Sequence, residues 1–493
     1  MPDKRKGPDV YGFINNNWEF VRSSDGFTYA FPRTEGTPRI AKSYKKIRSD
    51  VLRLFHAATM DEDGKGQLLT AAAVDNALEV ASAYAERQPA IPIHLRAAYR
   101  DGAVYLDLAD EGNHIVEVTS QGWSVHPSAD RLDFPLFRRS NATQALPIPT
   151  RGGSVDTLRK ILRFKETDKR WLLIRGWLVG ALFADVPRPM LWLTGAQGSG
   201  KSTRARMVLS IFEPTDALSR EPGRNHRDDY TAAHSRFLVS YDNITSISAS
   251  TSDWLCRIVT GVTDDKRGLY TDDDLLAGTI RRSGVATSIT LPHGLGSDAL
   301  QRLVLVEADR LPDDKRRTER QLWALFRKHH AAILGGILDD LVGVLANRDA
   351  ARRTKRLPRM ADYGEVLTAL DMHLGLDGSA SSHRAAYEES VNVTLADRAY
   401  EDPLIAALAE FVQDEGDEWS GSLKELLGVL DTRVGLTDRD ASWPKNEAAL
   451  RARLTKSSEA MRSVGVVMGG SRKSNGRRIT PFTYREPGPE CPS

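Results

Sequence analysis

Eight consecutive residues, Gly195-Ala196-Gln197-Gly198-Ser199-Gly200-Lys201-Ser202, have the types and spacing to hold a phosphorylated ligand. They fit G-x-x-x-x-G-K-[ST]. Small residues let backbone N–H groups curl around a β-phosphate. The helix expected to follow, continuing from Thr203, turns its positive N-terminal end toward the same anion. Lys201 has the reach for β- and γ-phosphates, and the Ser202 hydroxyl suits Mg²⁺. Such a loop needs a second, acidic element. The apolar run 237–241 ends in Asp242-Asn243. Asp242 is expected at the carboxyl end of a strand beside the loop, in the Mg²⁺ shell. Asn243 can orient a water but is no strong base. ATP and Mg²⁺ are the expected cofactors.

The elements that must position these groups follow from periodicity. A short apolar run, 190–194, precedes the loop as a strand, and 203–212 follows it as a helix. Helical spacing recurs at 155–164 and 169–183. Apolar runs at 237–241, 285–291 and 303–308 alternate with helical stretches, which argues for a mostly parallel sheet covered by helices. Beyond residue 311 the pattern is helical: 316–329, 333–346 and 362–373. Upstream, residues 1–150 read as an α+β domain with helices near 44–59 and 68–87 and strands at 103–108, 114–119 and 123–126. Pro147, Pro149, Gly152 and Gly153 punctuate its end.

The chain has 493 residues, long enough for about three domains. Its net charge of +2 does not announce a nucleic-acid binder, so any basic surface must be local. Two cysteines, Cys256 and Cys491, cannot build a disulfide framework or a cysteine zinc cluster. Cys256, Trp18 and Trp123 read as core. The stretch 171–187, interrupted by Arg175 and Asp185, is too short and too charged to span a bilayer. The setting expected is bacterial cytoplasm, with no membrane.

Local segregation occurs at the C-terminus. Residues 451–485 hold nine basic residues against one acid, Glu459. Helices at 404–413, 423–430 and 447–464, followed by strands at 465–468 and 478–484, have the order of a winged helix. Arg451 and Arg453 on its third helix, with Arg472, Lys473, Arg477 and Arg478 on its wing, are candidate DNA contacts. A solubilising or protein-docking face is the alternative. Residues 376–403 read as a linker and 487–493 as a tail.

Together these features resemble superfamily III, the AAA+ helicases of phages, plasmids and small viruses. The resemblance rests on the 195–202 loop, Tyr241-Asp242-Asn243-Ile244 and Ser297-Asp298-Ala299-Leu300-Gln301-Arg302. It rests also on Trp254-Leu255-Cys256-Arg257, Thr260-Gly261, Leu269-Tyr270-Thr271-Asp272 and Pro358-Arg359-Met360-Ala361-Asp362. It covers roughly 154–373. It implies an α/β AAA+ P-loop ATPase core over 151–375, with an α+β N-terminal domain and a C-terminal winged helix over 404–486. It implies a homo-oligomeric ring, a hexamer, that moves along or melts DNA in replication of a phage, prophage or plasmid, alongside a primase or initiator. Arg302 matches the arginine that reaches a neighbouring subunit's γ-phosphate; an ion pair with Asp298 is the alternative. The interval 265–282 corresponds to a pore-facing hairpin, which makes Lys266, Arg267, Arg281 and Arg282 candidates for gripping single-stranded DNA.

Three features depart from that pattern or leave it open. The family's water-orienting Asn after the hairpin is missing from 285–291, where Thr287, Ser288 and Thr290 are the polar substitutes. Arg359 could sense phosphate in cis, but a pair with Asp362 is favoured. Asp107 and Asp110, the acids nearest to a primase-like pair, are three apart. On a strand that spacing puts them on opposite faces. A nucleotide-switched DNA-binding or defence ATPase that assembles without translocating stays open beside the helicase.

Overall fold

The computed structural model describes residues 9–34, 36–131, 133–219, 221–222, 226–263, 279–310, 317–439, 443–474 and 477–486. Four parallel strands form its central sheet, in the order Leu238–Ile244, Ser283–Ser288, Met190–Thr194, Leu303–Glu307. Met190–Thr194 is buried along its whole length. A continuous apolar run is what a parallel strand covered on both faces requires. Ser283–Ser288 is interposed between the acidic strand and the phosphate-loop strand. The two meet through their carboxyl ends across that middle strand.

The helices covering the sheet include Lys169–Ala181, Lys201–Ser210, Ala249–Thr260 and Ala361–Leu374. Where two helices were expected over 316–346, one helix of 33 residues runs through, Glu319–Ala351. Its N-terminus carries a reciprocal cap between Thr318 and Gln321, and residues 329–333 contain neither Gly nor Pro to stop it. By length and composition alone this helix could cross a membrane, yet 61% of its most apolar stretch is buried inside the protein. Gly335 and Gly336 lie where residues 150–155 cross it; a Cβ on Gly335 would stand 1.9 Å from the Thr150 carbonyl oxygen.

The stretch expected as a linker holds the helix His383–Tyr400. Tyr387 is buried and donates to the Gln301 carbonyl at 3.3 Å, so this helix braces the edge of the sheet.

The N-terminal region has a five-stranded sheet, an antiparallel four-stranded meander over Ala97–Arg100, Ala103–Asp107, His114–Thr119 and Gly122–Pro127, and the helices Val10–Asn17, Arg48–Ala58 and Ala71–Glu86. The hydrophobic cores do not divide at residue 150. Val104, Leu106, Val116 and Trp123 belong to one continuous core with Trp177, Leu191 and Leu338. Trp123 Nε1 also donates to Asp339 Oδ1 at 2.8 Å. Residues 14–78 and 399–482 each have a separate core. In the latter, the helices Pro403–Asp414 and Leu423–Arg433 pack with Glu447–Lys456 and Ser458–Ser463, the expected single third helix being broken at Ser457. The strand Arg477–Tyr484 pairs with Glu418–Gly421, Val466–Met468 and Arg472–Ser474.

Candidate functional site

The phosphate loop leaves the buried strand Met190–Thr194 and enters the helix Lys201–Ser210. Gly195, Gly198 and Gly200 all have positive φ, at 146°, 80° and 76°. At Gly195 a side chain would also collide, with a Cβ 2.5 Å from the Ala308 carbonyl oxygen. Gly200 caps the helix with no side-chain acceptor, so the first-turn N–H groups have no side-chain cap at the loop. Lys201 is buried at that turn, and Gln197 is exposed at the loop's tip. The fully buried Ser199 Oγ has no hydrogen-bond partner among the described residues.

Ser202 Oγ donates to Asp242 Oδ1 at 2.8 Å, so the loop and the acidic strand do converge. A third group joins them. Thr287 Oγ1, from the interposed strand, donates to the same Asp242 oxygen at 2.5 Å and accepts the Asn243 N–H at 2.9 Å. Ser288, its neighbour, is occupied elsewhere, accepting from Trp192 Nε1 at 2.7 Å. The acidic strand carries one extra residue between its pairings Tyr241–Ala286 and Ile244–Ser288. Asn243 takes the left-handed conformation there, φ 56°, and is exposed. Such bulges re-aim side chains next to sites.

The donor set suits a hard cation. A hydroxyl and a carboxylate side by side match Mg²⁺, which keeps several waters and uses few protein ligands. Among the described residues no group of three or more His, Cys, Asp or Glu could hold a metal. Beside the loop lies a cavity of about 180 Å³ lined by Ile161, Leu162, Thr203, Met207 and Leu322, with Arg163 at its wall in the left-handed conformation.

The other candidates divide. Arg302 begins the strand Leu303–Glu307 at the end of the sheet opposite the phosphate loop, because Met190 pairs with Leu303 and Thr194 with Glu307. Roughly 15 Å of strand separates it from its own loop. Its Nη1 pairs with Asp298 Oδ2 at 2.5 Å. Arg359 does not pair with Asp362; it pairs with Asp298 and Glu459 and donates to Gln301 Oε1 at 2.6 Å. Burial raises the Asp298 carboxyl, but Arg302, Cys256 and Arg359 more than offset this and hold it below its ordinary range.

Lys266 and Arg267 lie outside the described residues. Arg281 donates to the carbonyls of Thr260 and Asp185, and Arg282 to those of Ala233 and Arg281. In the C-terminal module Arg453 turns inward to Asp402 at 3.0 Å. Arg451 donates to Ser471 Oγ at 3.0 Å. Arg472, Lys473 and Arg478 are exposed; the side chain of Arg477 lies outside what is described. Lys456 and Arg462 are exposed too. Asp107 is neutralised by a two-pronged contact from Arg139, at 2.6 and 2.9 Å, and Asp110 caps His114. Neither acid is free for a metal pair.

Two family models match this sequence. Residues 155–392 match that of the actinomycete integrative conjugative element replication protein, and residues 404–487 that of the AICE RepA C-terminal domain. No curated protein matches. Among solved structures, the A-form apo C-terminal region of NrS-1 aligns over 98% of this chain and 100% of its own, at 12% identity and a TM-score of 0.42. A JCV helicase structure aligns over 45% of this chain and 72% of its own, at 12% identity and a TM-score of 0.22.

Proposed function

We propose that this chain is a Mg²⁺-dependent ATPase of the AAA+, superfamily III type, a helicase or translocase that replicates an integrative conjugative element. The observation that carries this reading is the meeting of Ser202, Asp242 and Thr287 on one oxygen beside a glycine-built phosphate loop. Loop N–H groups and Lys201 would take the phosphates, and Ser202 and Asp242 would hold the metal. Mg²⁺ supplies charge neutralisation on the β- and γ-phosphates. Thr287, one of the three polar residues available in place of the family's Asn, would position Asp242 and the Asn243 backbone. The apolar cavity at Ile161, Met207 and Leu322 suits a base.

Arg302 is too far along the strand to serve its own loop, which supports a role toward a neighbouring copy in a ring. The C-terminal domain, read as a winged helix, would deliver DNA through Arg472, Lys473 and Arg478. A nucleotide-switched assembly without translocation is the second reading; the exposed Asn243 in place of an acid favours it, since a carboxamide is a poor base.

Steady-state ATP hydrolysis with Mg²⁺, with and without single-stranded DNA, tests the choice. The motor reading expects DNA stimulation that Lys201→Ala abolishes. Slow hydrolysis indifferent to DNA would overturn it and favour the switch.

A further inference from the structure

A second cavity, sharing no lining residue with that beside the phosphate loop, opens at the seam between the N-terminal region and the central sheet. Its volume is about 130 Å³, roughly tenfold what one water needs. Three guanidiniums line it: Arg138 from the strand Leu136–Arg138, Arg188 from the turn before Met190–Thr194, and Arg282 from the residue before Ser283–Ser288. Arg138 is 9% exposed and Arg188 3%. The Nε of each is buried without a hydrogen-bond partner.

These cations are oriented mainly by uncharged groups. Arg138 Nη2 donates to the His234 carbonyl at 2.6 Å, Arg188 Nη1 to that of Ala181 at 2.6 Å, and Arg282 Nε to that of Ala233 at 2.8 Å. Carbonyl dipoles hold direction but cancel no net charge. The carboxylate on the wall is Asp25, which stands 3.9 Å from Arg138 and is shared with Tyr29 and His234. Glu213 and Asp185 act on Arg282 and Arg188 from outside the lining. His94, on the wall, is pushed down to about 4 by burial and by Arg100, so it is neutral at pH 7.

Burial, then Arg138 and Arg188, push Arg282 down to about 9. An arginine does not give up its proton in a protein. The downward push therefore expresses first the cost of burying this cation and then its repulsion by two others, and an anion in the cavity would relieve both. Ser24, Pro92 and Thr279 at the rim are exposed and leave a way in from solvent.

We propose that this cavity binds a single phosphate group, gripped by Arg138, Arg188 and Arg282 where the N-terminal region meets the sheet. Guanidinium forks match tetrahedral oxyanions in geometry and charge. The group could belong to free phosphate or to a nucleic-acid backbone.

The test uses the full chain carrying Lys201→Ala, which weakens the phosphate loop, and the two substitutions below separate its residual binding from that of the cavity, so failure of the nucleotide reading is scored separately. Thermal melting is followed while inorganic phosphate replaces chloride at constant ionic strength. Phosphate should raise the melting temperature. Arg282→Gln should weaken the apparent affinity roughly tenfold, the scale of one charge-assisted contact. Asp25→Asn, which removes the competing carboxylate, should tighten it. Should Arg282→Gln fail to fold, the tightening by Asp25→Asn still decides. No phosphate shift, or a shift that neither substitution changes, overturns the proposal. A second arm titrates a short single-stranded oligonucleotide in chloride. If the site takes a backbone phosphate, Arg282→Gln weakens this binding and inorganic phosphate competes. If it takes free phosphate, oligonucleotide binding is unchanged while the melting shift is lost.

Discussion

At the phosphate-loop corner, Ser202, Asp242 and Thr287 come from three separate elements and share one oxygen atom. In the C-terminal module, cations from one short segment part company. Arg453 goes inward to Asp402 and Arg451 to Ser471, while Arg472, Lys473 and Arg478 stay exposed. The difference lies in what each pattern demands of the backbone. Three glycines at positive φ specify one path for the loop, and the path aims the side chains. A run of basic residues specifies no path at all. Each long side chain is free to find a carboxylate, a hydroxyl or water.

The largest expected effect would break the comparison at its firmer end. Lys201→Ala should lower the rate of ATP hydrolysis on the order of a hundredfold or more, as loss of a phosphate-stabilising charge does; a rate within a few-fold of wild type would end the phosphate-site reading. Next, replacing Arg472, Lys473 and Arg478 together with Gln should flatten the log–log salt dependence of duplex binding by about 2–3, measured by anisotropy over a salt series. An unchanged slope would show that this exposed face is not the one that meets DNA.

Thr287→Val should slow hydrolysis about tenfold or somewhat more, the worth of one hydrogen bond to a carboxylate, with Mg²⁺ still required. The smallest effect sharpens the other side. Arg453→Gln should leave the salt slope alone and cost roughly 1–2 kcal/mol of stability, because a partly buried Asp402 loses its partner. Denaturant titration reads the loss. A lower slope with unchanged stability would return Arg453 to the DNA face.

The phosphate loop was legible in sequence, because each of its residues answers a requirement visible within eight positions. Thr287 was one of three polar substitutes for the missing Asn, and its bond to Asp242 was not legible. It is 45 residues from Asp242 along the chain, and only strand order makes it a neighbour. Asp242 does stand beside the loop as expected, but the strand interposed between its own and the loop strand was not foreseen, since an apolar run states that it is buried and not which strand lies next to it. The long helix was divided in error because a polar His-His pair resembles a break, yet only Gly or Pro would have forced one. The helix at His383–Tyr400 hid because its polar content resembles a linker, while the few side chains that dock it, Tyr387 among them, are widely spaced. The cavity of three arginines joins residues 138, 188 and 282, which no local window brings together.

The core shared between the meander and the central sheet governs how this chain comes apart on heating. Residues 95–387 hold one continuous apolar interior, whereas 399–482 enclose their own, joined to it through polar contacts such as Gln301 with Glu459. Cooperative units follow packing rather than chain order. The meander and the parallel sheet are therefore expected to melt in one transition, and the C-terminal module in another, which calorimetry would read as two peaks. A cut at residue 150 would leave Val104, Val116 and Trp123 facing water on one fragment and their partners bare on the other, so each piece would aggregate.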